Sequence, residues 1–370
     1  MITQIKLKNF KCFEDESIDF APLNFWAGLN GMGKSTVIQS LLLLRQNYES
    51  GLLQNDEGIL LNGELVHMGN SRDLLYQYFK DQDIGIEIGL DAHSPVGWLW
   101  EAETDSDNLP LKKKIGEPEV LFKSALFGPG FHYLSAERLG PRVYFETSTY
   151  HVINRNQIGL QGEFTVNYLE QFQGVPIPVP SLKHPASSGL TLYEQVNAWL
   201  GEIRPGTRLS FTSNLDMSLV GLRYQFLGGS DAGNMFRPTN VGFGLSFLLP
   251  ILVAVLSSEP GSLLILENPE AHLHPRGQAE IGKMLAIAAA NGMQIIVETH
   301  SDHILNGVRA AVKKQLIKPE QVKFLFFHGD VIGDQFKHYI LNPKIDGNGR
   351  IDQWPDGFFD EWDRQLNELL

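Results

Sequence analysis

Gly28-Leu29-Asn30-Gly31-Met32-Gly33-Lys34-Ser35 is the stretch that decides how this chain is read. Every position fits GxxxxGK[ST], a loop whose glycines let successive backbone N–H groups turn inward and cradle phosphate oxygens. In that pattern Lys34 reaches the β and γ phosphates, and Ser35 offers its hydroxyl to Mg²⁺. Asn30, Gly31, Gly33 and Thr36 complete the candidate nucleotide contacts, with packing as the other reading of Thr36. The chemistry needs this loop between a strand and a helix. Leu23 to Ala27 is a short apolar run, and Ser35 to Gln46 carries an apolar helical face. The plain alternative, a glycine turn that merely caps a helix, accounts poorly for a full match in this context.

Upstream of the loop, Ile2 to Phe10 alternates like a half-buried strand, with Ile18 to Phe20 as its expected partner. Downstream, residues 51–237 mix strand-like runs (Ile84 to Leu90, Val96 to Glu101, Leu209 to Ser213, Leu219 to Leu227) with polar loops and one helix-like segment, Leu192 to Ile203. The 370 residues suffice for a sizeable core, and 43% apolar with 20% charged residues is an ordinary globular composition. A net charge of -13 opposes general attraction to phosphate backbones and anionic lipid. Cys12, the one cysteine, makes no intramolecular disulfide and no multi-cysteine zinc site, which fits a reducing compartment, and a cytoplasmic protein is expected. Val241 to Ser258 is uncharged throughout but holds Gly242, Gly244 and Pro250 and runs into a strand-like segment, so it reads as a buried core helix.

The last third has a clear period. Apolar runs Leu263 to Leu266, Gln294 to Val297 and Val322 to Phe327 alternate with helical stretches near Arg276 to Ala290 and Asp302 to Gln315, which predicts a parallel α/β sheet. An amphipathic helix is expected at Phe358 to Leu370. The first of these strands ends in Glu267-Asn268-Pro269-Glu270. Carboxylates at the end of a buried strand are costly unless they hold a metal, its waters or an attacking water. The second ends in Thr299-His300-Ser301, where His300 is a candidate partner for a γ-phosphate or its water. His272, His274 and His303 lack an acid or cysteine at ligand spacing and read as core or loop residues. Arg138, in Ser135-Ala136-Glu137-Arg138, reads equally as a phosphate contact and as a structural ion pair with Glu137 or a neighbour. Lys112 to Lys114 and Lys313-Lys314 read as solvated faces.

The order GxNGxGKS, ENPEAHLHP, ETHSD resembles the ABC-type ATPase heads of the RecF, SMC and overcoming-lysogenization-defect group, especially stand-alone bacterial ATPases of phage-defence systems. Trp354 to Asp360 resembles a C-terminal domain attached to a subset of them. The resemblance covers both ends well and the middle weakly. It implies an α/β fold, a P-loop ABC-type head with a mixed or antiparallel β lobe, a parallel core sheet and a helical insertion. The head would span 1–317 with a variable insertion at about 51–237, and a small C-terminal domain would span 318–370. ATP and Mg²⁺ would be the cofactors, with Ser35 and Glu267 as metal ligands. Glu267 takes the Walker B position, Ala271 to His274 the D-loop, and His300 the switch position. Asn240 to Ser246 lies where the signature motif begins, with Asn240, Gly242 and Ser246 as contacts to the nucleotide of an opposing subunit.

Two positions depart from the pattern. Asn268 stands where such heads carry a catalytic glutamate, and an amide takes no proton from water at neutral pH. Glu270 is the candidate substitute. The signature is not LSGGQ. The stretch after His300 is short and poor in acidic glycine motifs, so an appended TOPRIM nuclease domain is not expected. The resulting expectation is a slow MgATP hydrolase whose dimerisation, or higher self-association, regulates a separate effector such as a nuclease in anti-phage defence. Two other readings stand beside it: a nucleotide-gated scaffold with negligible turnover, and a RecF-like repair ATPase that binds DNA directly.

Overall fold

The computed structural model describes residues 1–103, 105–228, 233–359, 365, 366 and 368. The chain divides into two units, one formed by Met1–Gly128, Lys323–Lys344 and Gln353–Leu370, the other by Pro129–Val322 and Ile345–Asp352.

In the first unit, Ile2–Phe10 lies inside a five-stranded antiparallel sheet ordered Phe13–Asp19, Ile2–Phe10, Asp83–Leu90, Val96–Glu101, Leu111–Ile115. Ile5 faces Ile18 on one side and Ile88 on the other. Strict alternation would put Ile2 and Ile5 on opposite faces, yet both are buried, because the register with Asp83–Leu90 shifts between Ile2 and Gln4. Trp98 and Trp100 are fully buried, their rings 6.3 Å apart and nearly coplanar. Leu23–Gly28 is buried along almost its whole length, as a continuous apolar run requires, and leads into the phosphate loop and the helix Lys34–Glu49. Its neighbour is Val322–Ile332, which turns through Gly333 (φ +64°) into Gln335–Leu341. This last strand is hard to read from local pattern, since its residues are mostly half-buried and do not alternate. Phe358 is fully buried against Phe326 (centroids 5.4 Å apart), and Phe359 meets Phe25 at 6.1 Å. Most of the terminal helix expected over Phe358 to Leu370 falls outside the described residues.

In the second unit, three parallel strands lie side by side, with Leu263–Glu267 between Phe131–Leu134 and Gln294–Glu298. Register pairs Leu266 with Leu134 and with Val297, so the chain leaves all three strands at the same end. Helices Pro275–Ala290 and Asp302–Lys313 follow the central and outer strands as expected for parallel crossovers. Phe243–Ser257 is the helix expected from the uncharged stretch, buried from Leu245 to Leu256 except at Phe247. Among the described residues no helix is long and apolar enough to cross a membrane. An antiparallel sheet of Tyr144–Glu146, Leu219–Phe226 and Thr207–Asn214 completes the unit, with helix Leu192–Leu200 held at its start by a capping box between Thr191 and Glu194.

Candidate functional site

The phosphate loop is built by backbone constraint. Gly33 caps the helix with φ +103°, and a Cβ there would lie 2.7 Å from the Phe13 ring and 2.8 Å from Cys12 Sγ. Gly28 is equally fixed, since a Cβ would sit 2.2 Å from the Phe327 carbonyl oxygen. Gly31 is different: its φ is +78°, but a Cβ would meet nothing within 4 Å, so the loop is open on this side. The N-cap of Lys34–Glu49 is a glycine, which brings no side chain of its own to the helix start, the end of a helix that favours an anion. Lys34 is 3% exposed, and its Nζ donates to the carbonyls of Gly28 (2.8 Å) and Leu29 (3.0 Å), which hold the ammonium over the loop. Asn30, Gly31 and Ser35 are exposed. Thr36 is turned into the protein, where Cys12 Sγ lies 3.7 Å from its hydroxyl. These residues fit a nucleotide's phosphates: a held ammonium, a helix N-terminus and an open glycine face lie together.

Beside the loop stand Cys12 and a residue that went unnoticed in the sequence, His338. His338, on Gln335–Leu341, meets the backbone of Gly31 and Cys12; burial lowers its pKa and those contacts partly restore it. Only the hairpin brings it there. Burial also pushes the Cys12 thiol up to about 11, against the hydrogen bond with Thr36. Cys12 should therefore be alkylated at neutral pH about two orders of magnitude more slowly than an ordinary thiol, with the rate still climbing above pH 9. A rate profile with iodoacetamide checks this; a plateau by pH 8 would contradict it.

In the second unit, the ends of the parallel strands gather the acids. Glu267 Oε1 accepts from the Tyr133 hydroxyl and Oε2 from the Ala136 N–H, both at 3.1 Å. Burial raises its pKa, while these two donors and the Arg138 charge lower it. Burial and the neighbouring Glu267 keep Tyr133 protonated, as a donor must be. Glu270 holds the other strand end: its Oε2 accepts from Thr299 Oγ1 at 2.6 Å and its Oε1 from the His300 N–H at 2.9 Å. His300 is exposed. Glu267, Asn268, Glu270 and His300 are thus brought together by adjacent strand ends. Among the described residues no group of three or more His, Cys, Asp or Glu side chains converges on one point, so a cation here would draw most of its ligands from phosphates and water. Asn268 has φ +43°, a left-handed conformation that asparagine tolerates better than most residues, and its N–H donates to the Glu298 carbonyl at 2.8 Å. Backbone geometry is therefore a second reason for an asparagine at this position.

The segment Asn240 to Ser246 splits in two. Asn240 and Gly242 are exposed ahead of the helix Phe243–Ser257, whose N-cap is Gly242. Ser246 is buried, and its hydroxyl lines an interior cavity with those of Thr165 and Tyr224, so of the expected contacts it faces the core. Arg138 lies among backbone carbonyls, with the charges of Glu270 and Glu267 close enough to favour its protonated form. Its guanidinium donates to backbone carbonyls, of Ser135 (3.0 Å), Glu267 (2.5 Å) and Asn268 (2.6 Å), and not to Glu137. His272 (φ +62°) packs against Phe243 with tilted rings and against Phe247 edge-on, and His274 caps the helix Pro275–Ala290 by accepting from the Arg276 N–H at Nδ1. In the basic cluster, Lys112 pairs with Asp83 at 2.6 Å and Lys114 with Asp56 at 2.8 Å.

Residues 1–119 match the AAA ATPase domain family AAA_15, and residues 187–306 match AAA_21, an AAA domain of the AbiEii-toxin, Type IV TA system kind. Residues 317–369 match DUF3696, a family of unknown function. No curated protein matches the chain. Among solved structures, an Smc head bound to the C-winged helix domain of ScpA is 13% identical with a TM-score of 0.53, over 92% of this chain and 97% of that one. An Smc head with an extended coiled coil, bound to the C-terminal domain of ScpA and derived from Pyrococcus furiosus, is 12% identical with a TM-score of 0.50, over 100% of this chain and 99% of that one. The chain has an α/β fold with mixed sheets, that of a P-loop, ABC-type ATPase head similar to those of SMC proteins.

Proposed function

We propose that this protein is an ABC-type ATPase that binds MgATP, associates with a second copy when nucleotide is bound, and passes that change to a separate effector protein. The observation that carries the nucleotide reading is the buried Lys34 ammonium, held by two loop carbonyls at the N-terminus of the helix Lys34–Glu49. In this reading the loop amides of Asn30, Gly31 and Gly33 and the Lys34 ammonium take the phosphates. Ser35 and Glu267 are the side chains assigned to Mg²⁺. When bound, that ion would neutralise charge developing between the β and γ phosphates. Glu270, anchored at the turn before His300, is the assigned proton acceptor, and exposed His300 orients water or phosphate. With Asn268 in place of a base, turnover is slow. The Smc heads that this chain resembles are bound to ScpA, which supports a protein partner; a nuclease effector in anti-phage defence is the form the sequence resemblance suggests.

Association is tested at Gly242. This residue is exposed, has φ -62° and ψ 142°, and a Cβ on it meets nothing within 4 Å, so an added side chain starts into open space from an unstrained backbone. Gly242→Trp is expected to block the gain in sedimentation coefficient that a non-hydrolysable ATP analogue gives the wild type, with nucleotide affinity unchanged. An analogue that moves neither protein, or both alike, would remove Asn240 and Gly242 from a shared site.

A further inference from the structure

Arg138 is 5% exposed, and its guanidinium donates to three backbone carbonyls. A buried cation is expensive, and burial brings its pKa down to about 10, with Glu270 and Glu267 opposing that loss, so it stays charged at neutral pH. Its placement follows from the sheet. Because Leu134 pairs with Leu266, the turn leaving Phe131–Leu134 runs beside the turn leaving Leu263–Glu267, and the planar fork bridges the successive carbonyls of Glu267 and Asn268. Those carbonyls belong to the residue assigned to the metal and to the left-handed residue after it.

The other side of the guanidinium lies 5.7 Å from the Phe247 ring centroid. Phe247 packs on His272 at 4.5 Å, and His272 on Phe243 at 5.4 Å; Phe243 is 56% exposed. His272 is itself held close, since a Cβ on Gly244 would lie 2.7 Å from its carbonyl oxygen. An unbroken path of contacts therefore joins the Glu267 turn to an exposed aromatic residue beside Gly242.

We infer that Arg138 is a positioning residue that fixes the Glu267–Asn268 turn and, through Phe247 and His272, couples that turn to a second copy of this chain docking at Phe243, beside Gly242. This rests on the assignment of Glu267 given above, but its first test does not. In nucleotide-free protein, Arg138→Gln is expected to speed amide hydrogen exchange over 267–274 by at least about tenfold, while Arg142→Gln, at an exposed arginine, leaves it unchanged. In turnover, Arg138→Gln is expected to lower kcat about 10- to 100-fold, the range for residues that orient metal ligands, with ATP affinity within about twofold of wild type. Arg138→Lys, which supplies one point charge for two carbonyls, should recover only part of both effects. Phe247→Leu should keep the wild-type exchange over 267–268 but weaken the response to analogue-driven association. Wild-type exchange over 267–274 in Arg138→Gln, or full recovery in Arg138→Lys, would overturn the inference. A wild type that binds no ATP would instead overturn the ATPase reading and leave the exchange result standing. If Arg138→Gln does not fold, Arg138→Lys carries the exchange and turnover comparison against wild type, with wild-type exchange over 267–274 overturning the inference, and Phe247→Leu carries the comparison of association.

Discussion

Lys34→Ala is expected to abolish ATP binding. The side chain is the fixed positive charge of the loop, and its Nζ is held by the Gly28 and Leu29 carbonyls. Alanine removes the charge and both of these tethers. Where ATP stands at about 100 times its dissociation constant, binding stabilises the wild type by about 2.7 kcal/mol. Thermal unfolding with and without MgATP reads this directly. The wild type should gain stability and Lys34→Ala should gain none, with circular dichroism confirming that the variant is folded. Equal gains in the two proteins would sink the loop's assignment and with it the proposed activity.

The second large effect is expected at Glu270, where Glu270→Gln should depress ATP turnover by roughly 10² to 10⁴-fold, the usual contribution of a general base, with ATP affinity little changed. Glutamine keeps an oxygen for the His300 N–H and offers an amide to the Thr299 hydroxyl, so the turn survives while the proton acceptor is lost. Glu270→Ala leaves both donors without this acceptor and should fall at least as far. Steady-state phosphate release separates two roles. Near wild-type release from Glu270→Gln, with loss in Glu270→Ala, would make Glu270 a clasp for the His300 turn and not a base. Asn268→Glu restores the residue usual in ABC-type heads and should raise turnover if its carboxylate reaches the water. The left-handed backbone at 268 opposes a glutamate by about 1–2 kcal/mol, so the comparison belongs at equal folded fraction. No detectable release from wild type with partner present would favour the nucleotide-gated scaffold.

How much of this was legible in the sequence differs from element to element. The GxxxxGKS loop, the strands Leu263–Glu267 and Gln294–Glu298, and the buried helix Phe243–Ser257 all follow from local pattern, because apolar runs and glycine spacing act within a few residues of chain. Strand Gln335–Leu341 did not, because half-buried residues on a hairpin carry little periodicity. The sequence alone determined which residue types stand at the strand ends and in the loop: Lys34, Ser35, Glu267, Glu270 and His300. Only the tertiary structure decided what each of them touches. It turned Thr36 and Ser246 inward, set Glu270 under the His300 turn, put His338 against the loop, and laid Arg138 across the carbonyls of Glu267 and Asn268. These contacts span up to 326 residues of chain, as between Cys12 and His338, and they arise from strand register and helix packing, which no local window of sequence contains.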